Sequence, residues 1–432
     1  MSGRTGEEAR RAEASAAQAR ALGTRQHFAV VLPVALPDDP PWPAGPLPFT
    51  VSTQTADADG RRGLFTPAAA RALYDRRWHL RTSRAEGPLR LDGMELLRTP
   101  TARAAPQALA VLHFTVAGGT PMLPLLRAIS HRRQAGQTDP LAGTMAPAAL
   151  LGGVADTAPP ASPFALSRPY TVVFLTPGPG FGPLALRDAG SGEVPAEADE
   201  FLRSLASRSV PEDLPVAPES MPEVRAEVRR ISADWSALVL RQGAAFLGHR
   251  ADTGAGDFYD WAEYNARTVY LDALLLGTIQ RNHIDELTDD LSAVFDGPGL
   301  ARRVAALEQR IALFRSTYWR QHLSAHGPAN GLLLAFQDKH RLPERFEQIL
   351  AEAADYARLV QTQESQQIAG ALGVLTVLGL PLGTALSVLQ VLGDSRPRDL
   401  VLALAGSLAA TAAALTTRYG RLVLSSLRGT RG

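Results

Sequence analysis

The sequence contains no cysteine, which excludes disulfide bonds, thiolate catalysis and cysteine-ligated zinc. Lysine is nearly absent as well, since Lys339 is the only one and arginine carries the rest of the basic charge. We interpret this usage, together with abundant Ala, Gly and Pro, as the codon bias of a GC-rich genome. Because arginine and acidic residues are interspersed through most of the chain, the sequence predicts no nucleic-acid partner.

Charge is missing from two stretches near the C-terminus. No charged residue occurs from Ser365 to Gly393 or from Leu400 to Thr417, and the short polar turn Asp394–Asp399 lies between them. A helix needs about 20 apolar residues to cross a bilayer core. The two stretches therefore predict a transmembrane hairpin, with spans at residues 368–392 and 400–417.

No acidic residue follows Asp399, so the tail at residues 418–432 is purely basic. The positive-inside rule places such a tail in the cytoplasm, and two spans return the chain to its starting side. Met1–Leu22 has no apolar core typical of a signal peptide. We therefore expect a bacterial inner (plasma) membrane protein with both termini cytoplasmic. The tail arginines that we expect to bind anionic lipid headgroups are Arg418, Arg421, Arg428 and Arg431.

The region before the hairpin predicts three parts. Residues 1–22 form a flexible arm, residues 23–250 an α+β cytoplasmic domain and residues 251–342 a helical domain. The strands predicted by apolar runs are Phe28–Leu36, Ala108–Ala117, Thr171–Leu175, Ser236–Leu240 and Ala244–Gly248. The last two suit a hairpin with a three-residue loop and a left-handed Gly243.

Residues 343–417 predict a stalk helix that continues into the hairpin. No strong helix breaker follows Pro343 except Pro381, and 50 helical residues would be about 75 Å long. The spacing of five large apolar residues before the stalk is that of a coiled coil, which suggests a homo-oligomer. An ordinary helical bundle is the alternative. These residues are Val304, Leu307, Ile311, Phe314 and Tyr318.

The first span carries small and polar residues that recur roughly along one stripe. They would line the water path of a pore or, alternatively, allow close packing of helices. The stripe consists of Gln366, Gly370, Gly373, Thr384 and Ser387.

Other small residues of the hairpin predict helix packing. Gly379 and Gly383 have the GxxxG spacing, and Gly406 and Ala410 recur in register in the second span. Pro381 lies between the first two glycines, and because proline removes a backbone donor we expect a kink there.

Two short motifs in the first span are similar to a known pattern. Leu375-Thr-Val377 followed by Leu380-Pro-Leu382 resembles the first span of the CorA family of divalent-cation channels. This resemblance implies a cytoplasmic α+β domain, a stalk helix, a two-span hairpin, a homo-pentamer and Mg²⁺ as the candidate cation. The Gly-Met-Asn motif of that family is missing, since Val391-Leu-Gly-Asp394 occupies its place.

The layout of the chain also resembles a second group. Bacterial conflict (defence) loci encode membrane-tipped proteins beside caspase-like proteases and TPR proteins. An α+β front with the hairpin at Ala233–Gly243, then helices and a two-span tail, is similar in layout to these. This resemblance implies a signalling protein as partner.

Candidate sites in the front region are sparse. Hard cations prefer oxygen ligands, so an acidic helical cluster could hold a divalent ion, although a solvated charged face is the simpler interpretation. The cluster consists of Asp285, Glu286, Asp289 and Asp290, with His283 beside it. Asp252-Thr-Gly254 predicts a turn, since an aspartic protease needs two such aspartates. His322 and His326 share a helical face but lack the glutamate of a zinc protease.

No arrangement of serine, histidine and aspartate indicates an enzyme. The leading hypothesis is therefore an oligomeric CorA-like membrane protein that conducts or gates ions under control of its cytoplasmic domain. The alternatives are a membrane-targeted effector or anchor in a conflict system, and a membrane-anchored scaffold.

Overall fold

The computed structural model describes the following residues: 17–18, 20–51, 54–55, 58–99, 107–130, 139–157, 169–178, 181, 184, 186–188, 190–213, 215–254, 257–319, 324–392, 398, 401–402, 405–406 and 409. Two units make up the chain. The first is Met1–Asp289 with Ile311–Glu347, and the second is Asp290–Arg310 with Gln348–Gly432.

A mixed eight-stranded sheet organises the first unit. Its strands lie in the order β4-β5-β6-β1-β7-β10-β9-β8, and β2 and β3 form a separate pair. Neighbours in the sheet are antiparallel except β7 and β10, which are parallel. The strands are β1 (Gly23–Ala35), β2 (Thr50–Val51), β3 (Gln54–Thr55), β4 (Arg77–Glu86), β5 (Leu89–Arg98), β6 (Gln107–Val116), β7 (Tyr170–Pro177), β8 (Arg229–Ser232), β9 (Trp235–Val239) and β10 (Gly243–Gly248).

Helices fill the segments between the strands and follow the sheet in the chain. The described α-helices are α1 (Ala58–Arg62), α2 (Pro67–Tyr74), α3 (Met122–Ile129), α4 (Pro147–Leu150), α5 (Ala196–Ser207), α6 (Met221–Glu227), α7 (Asp257–Arg267), α8 (Val269–Ser292), α9 (Leu300–Thr317), α10 (Gly327–Lys339) and α11 (Leu342–Leu392).

Alternation along the central strand β1 gives the sheet two different faces. Phe28, Val30 and Leu32 belong to the main hydrophobic core, while His27 and Ala29 point to the opposite face because successive side chains alternate. The strand runs from Gly23 to Ala35, so it covers most of the predicted run and begins earlier. The early part matters because it adds polar side chains to the second face.

Helices cover both faces. Leu126 of α3 and Phe201 of α5 lie in the core of the first face. On the second face, Phe246 of β10 stacks on Tyr270 of α8 at 5.7 Å between ring centroids. The prediction placed residues 251–342 in a separate helical domain. The structure instead groups residues up to Asp289 with the sheet.

The predicted hairpin of β9 and β10 is present, but the predicted role of its glycine is wrong. Leu240–Gln242 form the three-residue loop, and Leu240 N donates to Gly243 O at 2.8 Å. Gly243 does not adopt a positive φ. A Cβ on Gly243 would lie 2.6 Å from Thr171 O and 2.9 Å from Ala206 O, so glycine is needed because backbone approaches closely.

We expect Gly243→Ala to destabilise the first unit by about 1–3 kcal/mol, because both obstructing oxygens belong to the backbone and cannot rotate away. Urea unfolding of the full chain in detergent measures this loss. Gly118→Ala is the matched control, since no heavy atom of the described chain lies within 4 Å of its added Cβ. Equal stability of the two variants would contradict the close-approach explanation.

The apolar residues with coiled-coil spacing in and just after α9 pack within the single chain. All five predicted heptad residues, from Val304 to Tyr318, are buried in the single chain. The spacing therefore gives no support to an intermolecular coiled coil at these positions. In the second unit, Phe295 and Tyr356 form an edge-to-face pair with ring centroids 4.8 Å apart.

Candidate functional site

Helix α11 is continuous from Leu342 to Leu392 and contains 51 residues. Pro343 lies in its first turn, where a missing backbone donor costs nothing. The left-handed Arg341, with φ of 52°, separates it from α10. At 1.5 Å per residue the helix is about 76 Å long. It therefore joins the predicted stalk and the first predicted span in one element.

Apolar side chains on α11 face solvent in the single chain. Leu359 is 43% exposed, Ile368 63% and Leu386 60%. Large exposed apolar surfaces on a soluble monomer are unusual and mark contact with another protein or with lipid. Among the described residues, no helix meets the length and hydropathy needed to cross a membrane.

The predicted stripe lies on this helix. At about 100° per residue, Gln366, Thr384 and Ser387 fall within roughly 60° of each other around the helix axis, and all three are exposed. Gly370 and Gly373 occupy helical positions on the same side. Because the helix is unbroken, residues five turns apart keep this common direction.

The predicted packing glycines of both spans have free space beside them. Apart from the adjacent backbone of their own helix, no heavy atom of the described chain lies within 4 Å of a Cβ built on Gly379, Gly383 or Gly406. Pro381 belongs to α11, and the helix assignment continues through it. The kink at this proline stays a prediction.

Much of the second span and the tail lies outside the described residues. Residues 401–402, 405–406 and 409 are helical. Ala410 and the four tail arginines, Arg418, Arg421, Arg428 and Arg431, are outside the described part, as is His322. The predictions made for these residues stay predictions.

The acidic residues of α8 pair with arginine instead of converging on one point. Asp285 Oδ1 accepts from Arg345 Nη2 at 2.5 Å, and Asp290 pairs with Arg310. Burial raises the pKa of Asp285, and Arg345 and Arg281 offset part of that increase. In the described part of the chain, no group of three or more His, Asp or Glu residues could hold a metal ion. Glu286 is buried and Asp289 half-buried.

Asp252 forms the expected turn, and it also lies in a buried ion pair. Its Oδ1 accepts from Gly254 N at 2.8 Å, and Gly254 has a φ of 79°. Its Oδ2 accepts from Thr176 Oγ1 at 2.6 Å and lies 3.1 Å from Arg25 Nε. The turn interpretation is confirmed.

Sequence reasoning missed a buried charge cluster on the second face of the sheet. Asp272 of α8 pairs with Arg61 at 2.7 Å and with Arg77 at 2.7 Å, and Arg77 also pairs with Glu95 at 2.6 Å. The side chains of these four residues are at most 1% exposed. Two guanidinium groups and two carboxylates give a cluster with no net charge.

Further hydrogen bonds complete this buried cluster. Tyr74 donates to Asp272 Oδ2 at 2.7 Å, and His113 Nε2 lies 2.7 Å from Glu95 Oε1. Leu47 N donates to Glu95 and Leu47 O accepts from Arg61, so the cluster holds the proline-rich loop before β2.

The pKa values follow from this arrangement. Burial alone would raise the pKa of Asp272, but Arg61 and Arg77 outweigh it and hold the pKa below its usual 3.8. For the same reason Arg77 and the bond from His113 hold the pKa of Glu95 well below 4.5, although burial opposes them. Burial lowers the pKa of His113.

A signal for this cluster exists in the sequence. Asp272 is a lone acid inside the apolar run Val269–Leu276, and Glu95 interrupts an otherwise apolar part of β5. A single charge within a buried element requires an opposite partner. No such signal marks the partners as buried. Arg61 lies beside another arginine at the end of α1, and Arg77 lies beside another arginine at the start of β4.

A second polar cluster packs α7 against the second face of the sheet. His27 Nε2 lies 3.0 Å from Glu263 Oε1, and Arg267 Nη2 lies 2.8 Å from Asp92 Oδ2. Asp260 of the same helix pairs with Arg25. Burial, reinforced by Arg267, lowers the pKa of His27 well below 6.5, while burial raises that of Glu263. The contacts dock a helix, and the cavity beside His27 and Arg267 has a volume of about 10 Å³.

Comparison of the sequence with protein-family models and with curated proteins finds no match. Function therefore rests on the geometry of the chain itself. The buried clusters stabilise the sheet unit, and α11 exposes large apolar side chains such as Ile368 and Leu386 in the single chain.

Proposed function

We propose that the chain is a membrane-attached homo-oligomer that conducts or gates ions, with its sheet unit in the cytoplasm. The observation that carries this proposal is the unbroken helix Leu342–Leu392, which joins the helices beside the sheet to the uncharged stretch. A continuous helix offers a path along which a conformational change can pass from one to the other.

The exposed apolar positions of α11 support the membrane part of the proposal. Ile368 and Leu386 are mostly exposed in the single chain, and lipid or other copies of the chain would cover them. Open space at Gly379 and Gly383 supports close approach of another helix. The CorA resemblance suggests a pentamer and Mg²⁺, but the missing Gly-Met-Asn motif leads us to expect low selectivity for Mg²⁺.

The missing motif favours a second candidate. An anchor or a triggered effector in a conflict system needs the hairpin but no ion-selective entrance. In that case a signalling protein would act on the sheet unit, and the hairpin would tether the protein or perturb the membrane.

Ion flux into liposomes tests the leading proposal. Full-length protein reconstituted with an enclosed cation-sensitive dye should admit K⁺ and Mg²⁺, because a pore stripe offers oxygen atoms in place of the ions' hydration shells. Empty liposomes are the control. Correctly assembled protein in liposomes that stay tight to Mg²⁺, K⁺ and a small dye would eliminate conduction and leave the anchor.

Topology gives an independent test of the hairpin. Reporters fused at Met1 and after Gly432 should both read as cytoplasmic, because the tail is purely basic and two spans restore the starting side. A reporter inserted between Asp394 and Asp399 should read as periplasmic. A periplasmic signal from either terminus would contradict the two-span arrangement.

A further inference from the structure

Three arginines of the first unit meet near the start of α11. Arg241 lies in the loop between β9 and β10, Arg281 on α8 and Arg345 in the first turn of α11. Arg345 Nη2 donates to Asp285 Oδ1 at 2.5 Å, and Arg281 Nε lies 3.6 Å from Asp285 Oδ2. Arg241 is exposed and donates from Nε to the backbone oxygen of Lys339 at 2.8 Å. Two of these guanidinium groups thus contact the same carboxylate, and that of Arg241 pairs with no carboxylate of the described residues.

A column of aromatic rings leads from the sheet to these arginines. Tyr170, the first residue of β7, packs edge-to-face on Phe336 of α10 with ring centroids 5.6 Å apart. Phe336 in turn packs on His340, whose ring centroid is 4.3 Å away. His340 follows Lys339, the residue that Arg241 contacts. The column therefore ends at the arginines.

Two polar atoms of this column lack a hydrogen-bond partner. Tyr170 is 1% exposed, and its hydroxyl forms no hydrogen bond with any described residue. The same holds for Nε2 of the half-buried His340. A buried polar atom without a partner is costly, so a ligand that bonds to both atoms would stabilise the folded chain.

The surroundings of these two atoms are positively charged. Burial lowers the pKa of His340 to about 3, and the three arginines act in the same direction. Within the described part of the chain, no carboxylate opposes them at His340. Burial raises the pKa of Tyr170, and Arg281 offsets part of that increase, so the hydroxyl lies near this guanidinium.

The acids beside the arginines are already engaged. Asp285 holds Arg345 and Arg281, and Glu227 pairs with Lys339. A tyrosine hydroxyl and a neutral imidazole can each donate one hydrogen bond, and arginine donates several in a planar fork. Donors and positive charge in one place require a ligand that accepts hydrogen bonds and carries negative charge.

We propose that a phosphate group binds between Tyr170, His340 and Arg241. Its oxygens would accept from the tyrosine hydroxyl, the imidazole and the guanidinium, while Arg281 and Arg345 add positive charge. Phosphate fits better than chloride because its oxygens can accept from donors that approach from different directions. A bound phosphate would link the loop between β9 and β10 to the first turn of α11. The proposal does not depend on ion conduction.

Calorimetric titration of the full chain in detergent with inorganic phosphate, at constant ionic strength in sodium chloride, tests the proposal. We expect saturable binding of one phosphate per chain. Arg241→Ala should weaken this binding by about 10–100-fold, and Arg241→Lys should recover part of the affinity by restoring the charge. Glycerol 3-phosphate distinguishes the two sources of the group, since tighter binding than phosphate assigns a phosphate ester and weaker binding assigns free phosphate.

Tyr170→Phe tests the unpartnered hydroxyl, because it keeps the ring on Phe336 and removes only the oxygen. Phosphate binding should weaken by about 3–10-fold. In phosphate-free buffer the variant should melt no lower than the wild type, since no hydrogen bond is lost. A lower melting temperature would show that the hydroxyl already has a partner within the protein, which contradicts the proposal.

Arg81→Ala is the matched control for Arg241→Ala. Arg81 of β4 is also an exposed arginine that donates to a backbone oxygen, that of Pro48 at 3.3 Å. This variant should bind phosphate as the wild type does. The proposal is overturned if phosphate shows no saturable binding to the wild type, or if the two alanine variants bind it equally.

Discussion

Replacing Asp272 by alanine is expected to lower the free energy of unfolding of the first unit by about 3–5 kcal/mol. The substitution leaves two buried guanidinium groups, those of Arg61 and Arg77, with Glu95 as the one remaining carboxylate of the cluster. It also removes the acceptor for Tyr74. Urea unfolding of the full chain, followed by tryptophan fluorescence, measures the loss.

The control for Asp272→Ala is Asp75→Ala. Asp75 also pairs with an arginine, Arg62, at 2.5 Å, but both side chains are more than 40% exposed. Exposed pairs contribute about 0–1 kcal/mol, so this variant should remain close to wild type. If both variants lose the same free energy of unfolding, the buried ion pairs of Asp272 contribute no more to stability than an exposed pair.

The loss of stability at low pH gives a second measure of how much the same cluster contributes. The folded state depresses the pKa of Asp272, so its contribution to stability is complete above the usual value of 3.8 and is lost as pH falls below it through the folded-state pKa. Wild type should therefore lose stability in this acidic range. Asp272→Ala should show a weaker dependence there, because one of the two depressed carboxylates is gone.

The double substitution Thr384→Leu with Ser387→Leu is expected to abolish ion flux through liposomes if the proposed pore exists. These two residues supply the deepest side-chain oxygens of the predicted stripe, and ions need such oxygens in place of water. Both positions are exposed on α11 in the single chain. Dye-reported K⁺ influx measures the effect, and gel filtration in detergent checks that assembly persists.

Gln361→Leu is the matched control for this pair. Gln361 is another exposed polar residue of the same helix, but it points about 140° away from Thr384 and about 80° away from Ser387 around the axis. Flux in this variant should match wild type. Flux that survives in the double variant would show that the stripe packs helices, and equal loss in all variants would show a general defect in assembly.

Sequence patterns predicted the strands well where both faces of a strand are buried and the run is apolar throughout. The runs around Val30, Val111 and Val173 are apolar on both faces, and all three became strands. The last two lie within two residues of their expected limits, whereas the first begins five residues early, at Gly23. The long helix after Pro343 was also predicted, because an uninterrupted helical pattern needs no knowledge of its neighbours.

Sequence patterns failed where contacts between residues distant in sequence determine the structure. Gly243 suited a left-handed turn by its place in the hairpin, but its real constraint comes from Thr171 and Ala206, which are distant in sequence. The partners of Asp272 lie about 200 residues earlier in the chain, and nothing local marks Arg61 or Arg77 as buried.

The length of α11 also has a mechanical consequence. The part of α11 from Gln348 to Pro381 can act as a lever, since a bend before the proline would require lost hydrogen bonds. If the start of this part tilts by about 5°, Pro381 moves sideways by about 4 Å, given a length of about 50 Å. A small rearrangement at the start of this part would thus be amplified at the proline without any change within the helix.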